Sequence, residues 1–202
     1  MDEKIELLAP AGSPEAYKAA VAAGADAVYL GAKAFNARIN ANNFDNQTLS
    51  AVIKDAHVRG VKVYLTLNTL ISDRELEEAR KLASFAYNEG IDGIIVQDLG
   101  LINILRETAP GLPIHASTQM TIHNTDGVRA AQALGISRVV LARELSLAEI
   151  KEIVKKPALR LKSSCMAPVH LPVRSMPVKQ FHRRKERKQG KMCPAMPAAL
   201  QN

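Results

Sequence analysis

Gly24-Ala25-Asp26-Ala27-Val28-Tyr29-Leu30-Gly31 is the stretch on which the fold turns. A glycine able to take the left-handed conformation ends a helix. An apolar and a polar residue follow, and then a strand with no polar alternation. The same order recurs at Gly60-Val61-Lys62-Val63, at Gly90-Ile91-Asp92-Gly93-Ile94 and at Gly135-Ile136-Ser137-Arg138-Val139. The runs Val28-Tyr29-Leu30, Val63-Tyr64-Leu65, Ile94-Ile95-Val96 and Val139-Val140-Leu141 read as strands buried on both faces, as in a parallel sheet.

Amphipathic helices with recognisable starts lie between these strands. Ser13-Pro14-Glu15 sets an N-cap serine before a proline at the first helical position. Ser72-Asp73-Arg74-Glu75 and Ser146-Leu147-Ala148-Glu149 are capping boxes. The pattern predicts strands over 5–9, 27–31, 61–67, 93–97, 113–117, 138–142 and 158–162. It predicts helices over 14–23, 46–58, 73–89, 100–107, 124–134 and 147–155. Strict alternation leaves two α/β architectures, a closed barrel and an open doubly wound sheet. Ala9-Pro10-Ala11-Gly12-Ser13 after the first strand is not a dinucleotide fingerprint. Six βα units and the start of a seventh strand therefore predict an incomplete TIM-type (β/α) barrel, followed by an irregular tail. At 202 residues the chain is short for a full barrel, which takes about 250.

No apolar run approaches the roughly 18 residues of a membrane helix, and Met1-Asp2-Glu3-Lys4 has no signal-peptide character. Two cysteines make no disulfide framework. A cytoplasmic protein is expected. The net charge of +7 is confined to residues 163–202, which hold eight Lys/Arg and one acid; residues 1–162 are neutral. A basic folded domain is thus not indicated.

Barrel enzymes carry their sites on the loops after the strands. Here those loops offer Asn36, Arg38 and Asn43, then Asn68, then Gln97 and Asp98, then His115, Ser117 and Gln119, and finally Arg143 and Glu144. Arginine holds carboxylate or phosphate with two parallel hydrogen bonds, and amides read a base edge or a peptide. The competing reading is structural: asparagines satisfying loop backbone, and Arg143 paired with Glu144. Ser117, His115 and Asp98 can be drawn as a triad, but no nucleophile elbow surrounds Ser117. His57 and His123 read as surface residues. No metal-ligand spacing is present, so neither a metal nor a catalytic residue is assigned.

Several strings in order resemble the collagenase-like peptidase family U32. They are Glu6-Leu7-Leu8-Ala9-Pro10-Ala11-Gly12, Ala27-Val28-Tyr29-Leu30-Gly31, Phe35-Asn36-Ala37-Arg38 with Asn43-Phe44, Gln97-Asp98-Leu99-Gly100, and His115-Ala116-Ser117-Thr118-Gln119-Met120. The resemblance covers roughly residues 4–162 and implies a barrel-like domain there. It implies an enzyme, by family label a peptidase acting on peptide or protein. It equally implies an alternative, an oxygen-independent hydroxylase of tRNA or rRNA bases or of the ubiquinone ring. Such members hold an iron–sulfur cluster on cysteines. A third reading is a non-catalytic RNA-binding module that uses the basic tail. No oligomeric state is implied.

The chain departs from the family after Lys162. The family's next segment runs His-Gly-x-x-Cys, Gly-x-Cys, an Arg/Gly-rich stretch and a Cys-x-x-x-Cys pair. Residues 163–202 instead hold five of the ten prolines and four of the six methionines, with no amphipathic period. Read one base out of frame, Lys191 to Pro197 can encode Arg-Cys-Ala-Gln-Pro-Cys and Arg174 to Met176 can encode Gly-Gln-Cys. Read two bases out, Ser164 to Ala167 can encode Val-His-Gly. The tail is therefore expected to be a wrong-frame translation, which the nucleotide sequence tests. Cys165 and Cys193 are then not cluster ligands, the chain as written carries no cofactor, and it is expected to be inactive with the sheet edges open.

Overall fold

A computed structural model describes residues 6–37, 43–154, 160–164 and 170–172. Six βα units run in the expected order. They are β1 (Leu8–Pro10) with α1 (Pro14–Ala22), β2 (Ala27–Gly31) with α2 (Asn46–Val58), and β3 (Lys62–Leu67) with α3 (Leu76–Asn88). Then come β4 (Gly93–Val96) with α4 (Leu99–Thr108), β5 (Ile114–Ala116) with α5 (Thr125–Ala133), and β6 (Arg138–Val140) with α6 (Leu147–Val154). A seventh strand, β7 (Arg160–Ser164), follows, then a short β8 (His170–Pro172). Strands β1 to β7 pair in sequence order, all parallel, with Tyr29 opposite Tyr64 and Ile95 opposite His115.

The TIM-type class read from the sequence stands. The expected open edges do not: β8 runs antiparallel to both β7 and β1, and the ring of strands closes through it. The edge strands of a sheet carry unpaired N–H and C=O groups, and β8 supplies partners to both. The rest of the tail, with Cys165, Cys193 and the Arg183–Lys188 charge run, lies outside the described residues, as does Arg38.

The recurring glycine behaves as read. Gly24, Gly60, Gly90 and Gly135 have φ between +71° and +87°, the region in which a Cβ is penalised. Ser146 and Glu149 form the expected reciprocal box at the start of α6. The Ser72 box differs. The Ser72 N–H donates to the Glu75 carboxylate at 2.9 Å, but this closes a turn, and α3 begins only at Leu76. The helix is shorter because its first apolar position that packs inward is Ala79, not a residue of the 73–75 turn.

Two apolar clusters divide the interior. The larger joins Val28, Leu30, Val63, Leu65, Ile94 and Val96 to helix residues such as Leu49, Ile53, Ala83 and Leu101. The smaller consists of Leu8, Ala27, Tyr29, Tyr64 and Ile95. Neighbours along one strand point to opposite faces, so the smaller cluster fills the inside of the ring. Below it, at the N-terminal end, Glu6 meets Arg138 at 3.0 Å and the Tyr64 hydroxyl at 3.1 Å.

Candidate functional site

The mouth at the C-terminal end of the strands is a cavity of about 240 Å³. The inward positions Tyr29, Thr66, Ile95 and Val140 line its depth, and loop residues form its rim. Six residues singled out in the sequence come together there: Asn36, Asn43, Asn68, Ser117, Gln119 and Arg143.

Asn36 and Asn43 are built into the wall. The loop after β2 returns on itself, and Phe44 donates its N–H to the Gly31 carbonyl at 2.9 Å while Lys33 donates to the Phe44 carbonyl. Asn43 donates its N–H to the Gly12 carbonyl after β1. The turns need left-handed backbone at Phe35 (φ +59°) and Asn43 (φ +39°). For Phe35 this conformation is strained. It carries the next residue, Asn36, inward to lie over Gly31, where a Cβ would stand 1.8 Å from its amide nitrogen. Asn36 is 5% exposed. Its Nδ2 donates to Asn43 Oδ1 at 2.8 Å, and the Thr66 hydroxyl lies 3.3 Å from its Oδ1 and 3.0 Å from the Leu30 carbonyl. Asp45 then caps α2, accepting from the Thr48 N–H at 2.9 Å. That bond, with the Thr48 hydroxyl and Lys33, holds its carboxyl down to about 2.

Asn68 reaches across from the loop after β3. Its Oδ1 accepts the Ala37 N–H at 3.2 Å, which ties the β2 and β3 loops together. Ser117 extends the β5 pairing by donating its N–H to the Val96 carbonyl at 2.7 Å. Its hydroxyl caps a single 3-10 turn, Thr118–Met120, by accepting the Gln119 N–H at 3.3 Å. Arg143 projects from the loop after β6.

Four expected site residues do not line the cavity. Asp98 is the N-cap of α4: Oδ1 accepts the Leu101 N–H at 2.9 Å and Oδ2 lies 3.4 Å from the Ile71 N–H. Its carboxylate ties a helix to the loop carrying Asn68, so it is not placed as a triad acid. His115 does share the inward face with Ser117 but sits one layer deeper. Its ring meets Tyr64 edge-on with centroids 4.8 Å apart. Gln97 and Glu144 flank the mouth without lining it. Residues that loop reasoning missed, namely Tyr29, Thr66, Ile95 and Val140, belong to strands apolar on both faces, so no alternation marked their inward side. His57 pairs with Asp92 at 2.9 Å on the outer surface, and His123 contacts the Thr121 carbonyl at 2.8 Å.

Among the described residues there is no group of three or more His, Cys, Asp or Glu side chains placed to hold a metal. Those residues include no cysteine. The described residues do not fit an iron–sulfur cluster. No helix among them is long and apolar enough to cross a membrane.

The fold and the rim together define a β/α-barrel protein with a small, amide-rich mouth. Residues 12–166 match the model of peptidase family U32, and the chain belongs to that family. It is 39% identical over 150 residues to the 23S rRNA 5-hydroxycytidine C2501 synthase of Escherichia coli (strain K12), covering 74% of this chain and 22% of that protein. It is also 39% identical over 150 residues to the tRNA hydroxylation protein P of the same organism, covering 74% of this chain and 33% of that one. The chain thus spans a third or less of the length of these relatives. The solved structure titled as the U32 peptidase Mk0906 superposes with a TM-score of 0.62 at 16% identity, covering 77% of this chain and 66% of that one, a likeness of fold.

Proposed function

We propose that this chain is the barrel portion of an RNA-hydroxylating enzyme, and that its mouth receives one nucleotide. The observation that carries the reading is the lining of the cavity by the described residues: amides, a serine and an arginine, with none of these residues placed as a base against the serine. The Ser117 hydroxyl caps a turn by accepting the Gln119 N–H, and Asp98 is a helix cap. Peptide hydrolysis needs a nucleophile, a base and an oxyanion hole in mutual reach. A cavity of about 240 Å³ is also smaller than the roughly 300–1,000 Å³ of most ligand sites, which suits one ring better than an extended peptide. The names of two relatives at 39% identity, both RNA hydroxylation proteins, support the same reading over the family's peptidase label.

Hydroxylation chemistry requires a cofactor, and on this reading its ligands lie outside the barrel units. Mass spectrometry of nucleosides from rRNA and tRNA of the source organism tests the function. Expressing a copy with the reading frame restored after Lys162 should add a hydroxylated nucleoside that cells carrying the gene as it stands lack. An unchanged nucleoside profile, with peptide cleavage by the corrected protein that survives iron chelation, overturns the proposal in favour of the peptidase.

A further inference from the structure

We propose that the barrel mouth is an oxyanion subsite: it presents hydrogen-bond donors and takes the anionic oxygens of a phosphate or carboxylate. The inference deepens the reading above, because it concerns the same mouth. It is drawn from where the protein's own acceptors are already spent.

A backbone N–H can only donate, so each one fixes the polarity of the group it meets. Ala37 N–H holds Asn68 with its oxygen inward to the loop, which leaves the Asn68 NH₂ as the end available to a ligand. The Ser117 oxygen accepts the Gln119 N–H, and its O–H is free of that bond and can be donated to a ligand. Arg143 offers only donors. The carbonyls around the mouth are in use as well. Gly12, Tyr29 and Gly31 accept the N–H groups of Asn43, Ala11 and Phe44, and Leu30 faces the Thr66 hydroxyl. The Asn43 oxygen accepts from Asn36. Among the described residues, no carboxylate lines the cavity.

Donors from three separate loops, one of them cationic, therefore converge on the mouth, while the Gln119 side-chain amide, which also lines it, can present either end. An amino-bearing edge would find no complementary partners in the Asn68 NH₂ and the Arg143 guanidinium. A group with several acceptor oxygens and negative charge would find charge-assisted ones, the stronger kind. Two sources share this chemistry: the phosphate of a nucleotide, and the carboxylate of a free small molecule.

Calorimetric titration of the full-length chain with inorganic phosphate, acetate, cytidine and cytidine 5′-monophosphate tests the proposal. At least one of the two simple anions should bind, and heat should be absent or weak with cytidine. Phosphate and the monophosphate binding together would mark a nucleotide source; acetate alone would mark a free carboxylate. Asn68→Asp is the sharp variant, since it keeps an oxygen for Ala37 while turning the outward donor into an anionic acceptor. It should weaken anion binding by about tenfold or more, and Arg143→Gln, at an exposed position, by about tenfold. Thermal melts followed by circular dichroism establish that both variants fold. Cytidine binding as tightly as its monophosphate, no binding of either anion, or unchanged affinity in both variants overturns the subsite. RNA profiling and anion binding fail independently, so a lost function reading leaves this result standing.

Discussion

Gly31 has no side chain because Asn36 occupies the place where one would stand. A methyl there meets the Asn36 amide nitrogen at 1.8 Å, and the amide must leave its bond to Asn43. Gly31→Ala should therefore destabilise the protein by about 1–3 kcal/mol, the usual range for overpacking, and weaken ligand binding at the mouth. Urea denaturation and the anion titration read the two effects. A wild-type midpoint with wild-type affinity would show that Asn36 does not depend on the gap. At this scale the sequence was partly legible. Asn36, Asn43, Asn68, Ser117, Gln119 and Arg143 were recognisable because loops after barrel strands point to one rim. Asp98 was singled out for the same reason. It ends a strand at that rim, but Leu99 and Leu101 after it are already helical, and an aspartate in that position is drawn into capping their N–H groups.

Elements couple through such caps. Asp98 belongs to α4 by its Oδ1 and to the β3–α3 loop by its Oδ2, and that loop carries Asn68 to Ala37. Asp98→Ala should cost about 1 kcal/mol, the value of a lost N-cap. Asp98→Asn should cost much less, because asparagine caps as well. Anion binding at the mouth should follow the same order. A fully folded Asp98→Asn protein that binds no anion would instead mark the carboxylate's charge, not its capping, as what the mouth needs. Helix starts were readable wherever a side-chain oxygen meets a free backbone N–H, as at Ser13 and Ser146. At Ser72 the same signature closes only a turn, because local hydrogen bonding does not require that the helix already pack against the sheet.

Across the whole molecule, one interior contact joins residues 132 apart in sequence: the Glu6 carboxylate to the Arg138 guanidinium, with the Tyr64 hydroxyl between them. Burial pushes the Tyr64 hydroxyl up to about 12 from 10.0, and the nearby Glu6 adds to the rise while Arg138 opposes it. A raised acid holds its proton in the folded state after the unfolded chain has lost it. Its contribution is therefore complete below pH 10 and disappears as the pH rises to about 12, by on the order of 2 kcal/mol. Tyr64→Phe removes this term. Urea melts at both ends of that window should show the stability gap between wild type and variant narrowing as pH rises. A constant gap would mean that the hydroxyl ionises alike in both states.

What the sequence by itself determined is the succession of units. Each helix that ends in a left-handed glycine and each doubly apolar strand is a local fact, and six in a row predict a β/α ring. The tertiary structure alone decided the inside. Tyr29, Thr66, Ile95 and Val140 face the mouth, and Val28, Leu65 and Ile94 face the helices. Strands buried on both faces show no contrast of period two, so only the closing of the ring chooses which alternate residues point inward. The donor-lined mouth follows from that choice, for its groups come from loops distant in sequence and meet only when the ring brings their strand ends together.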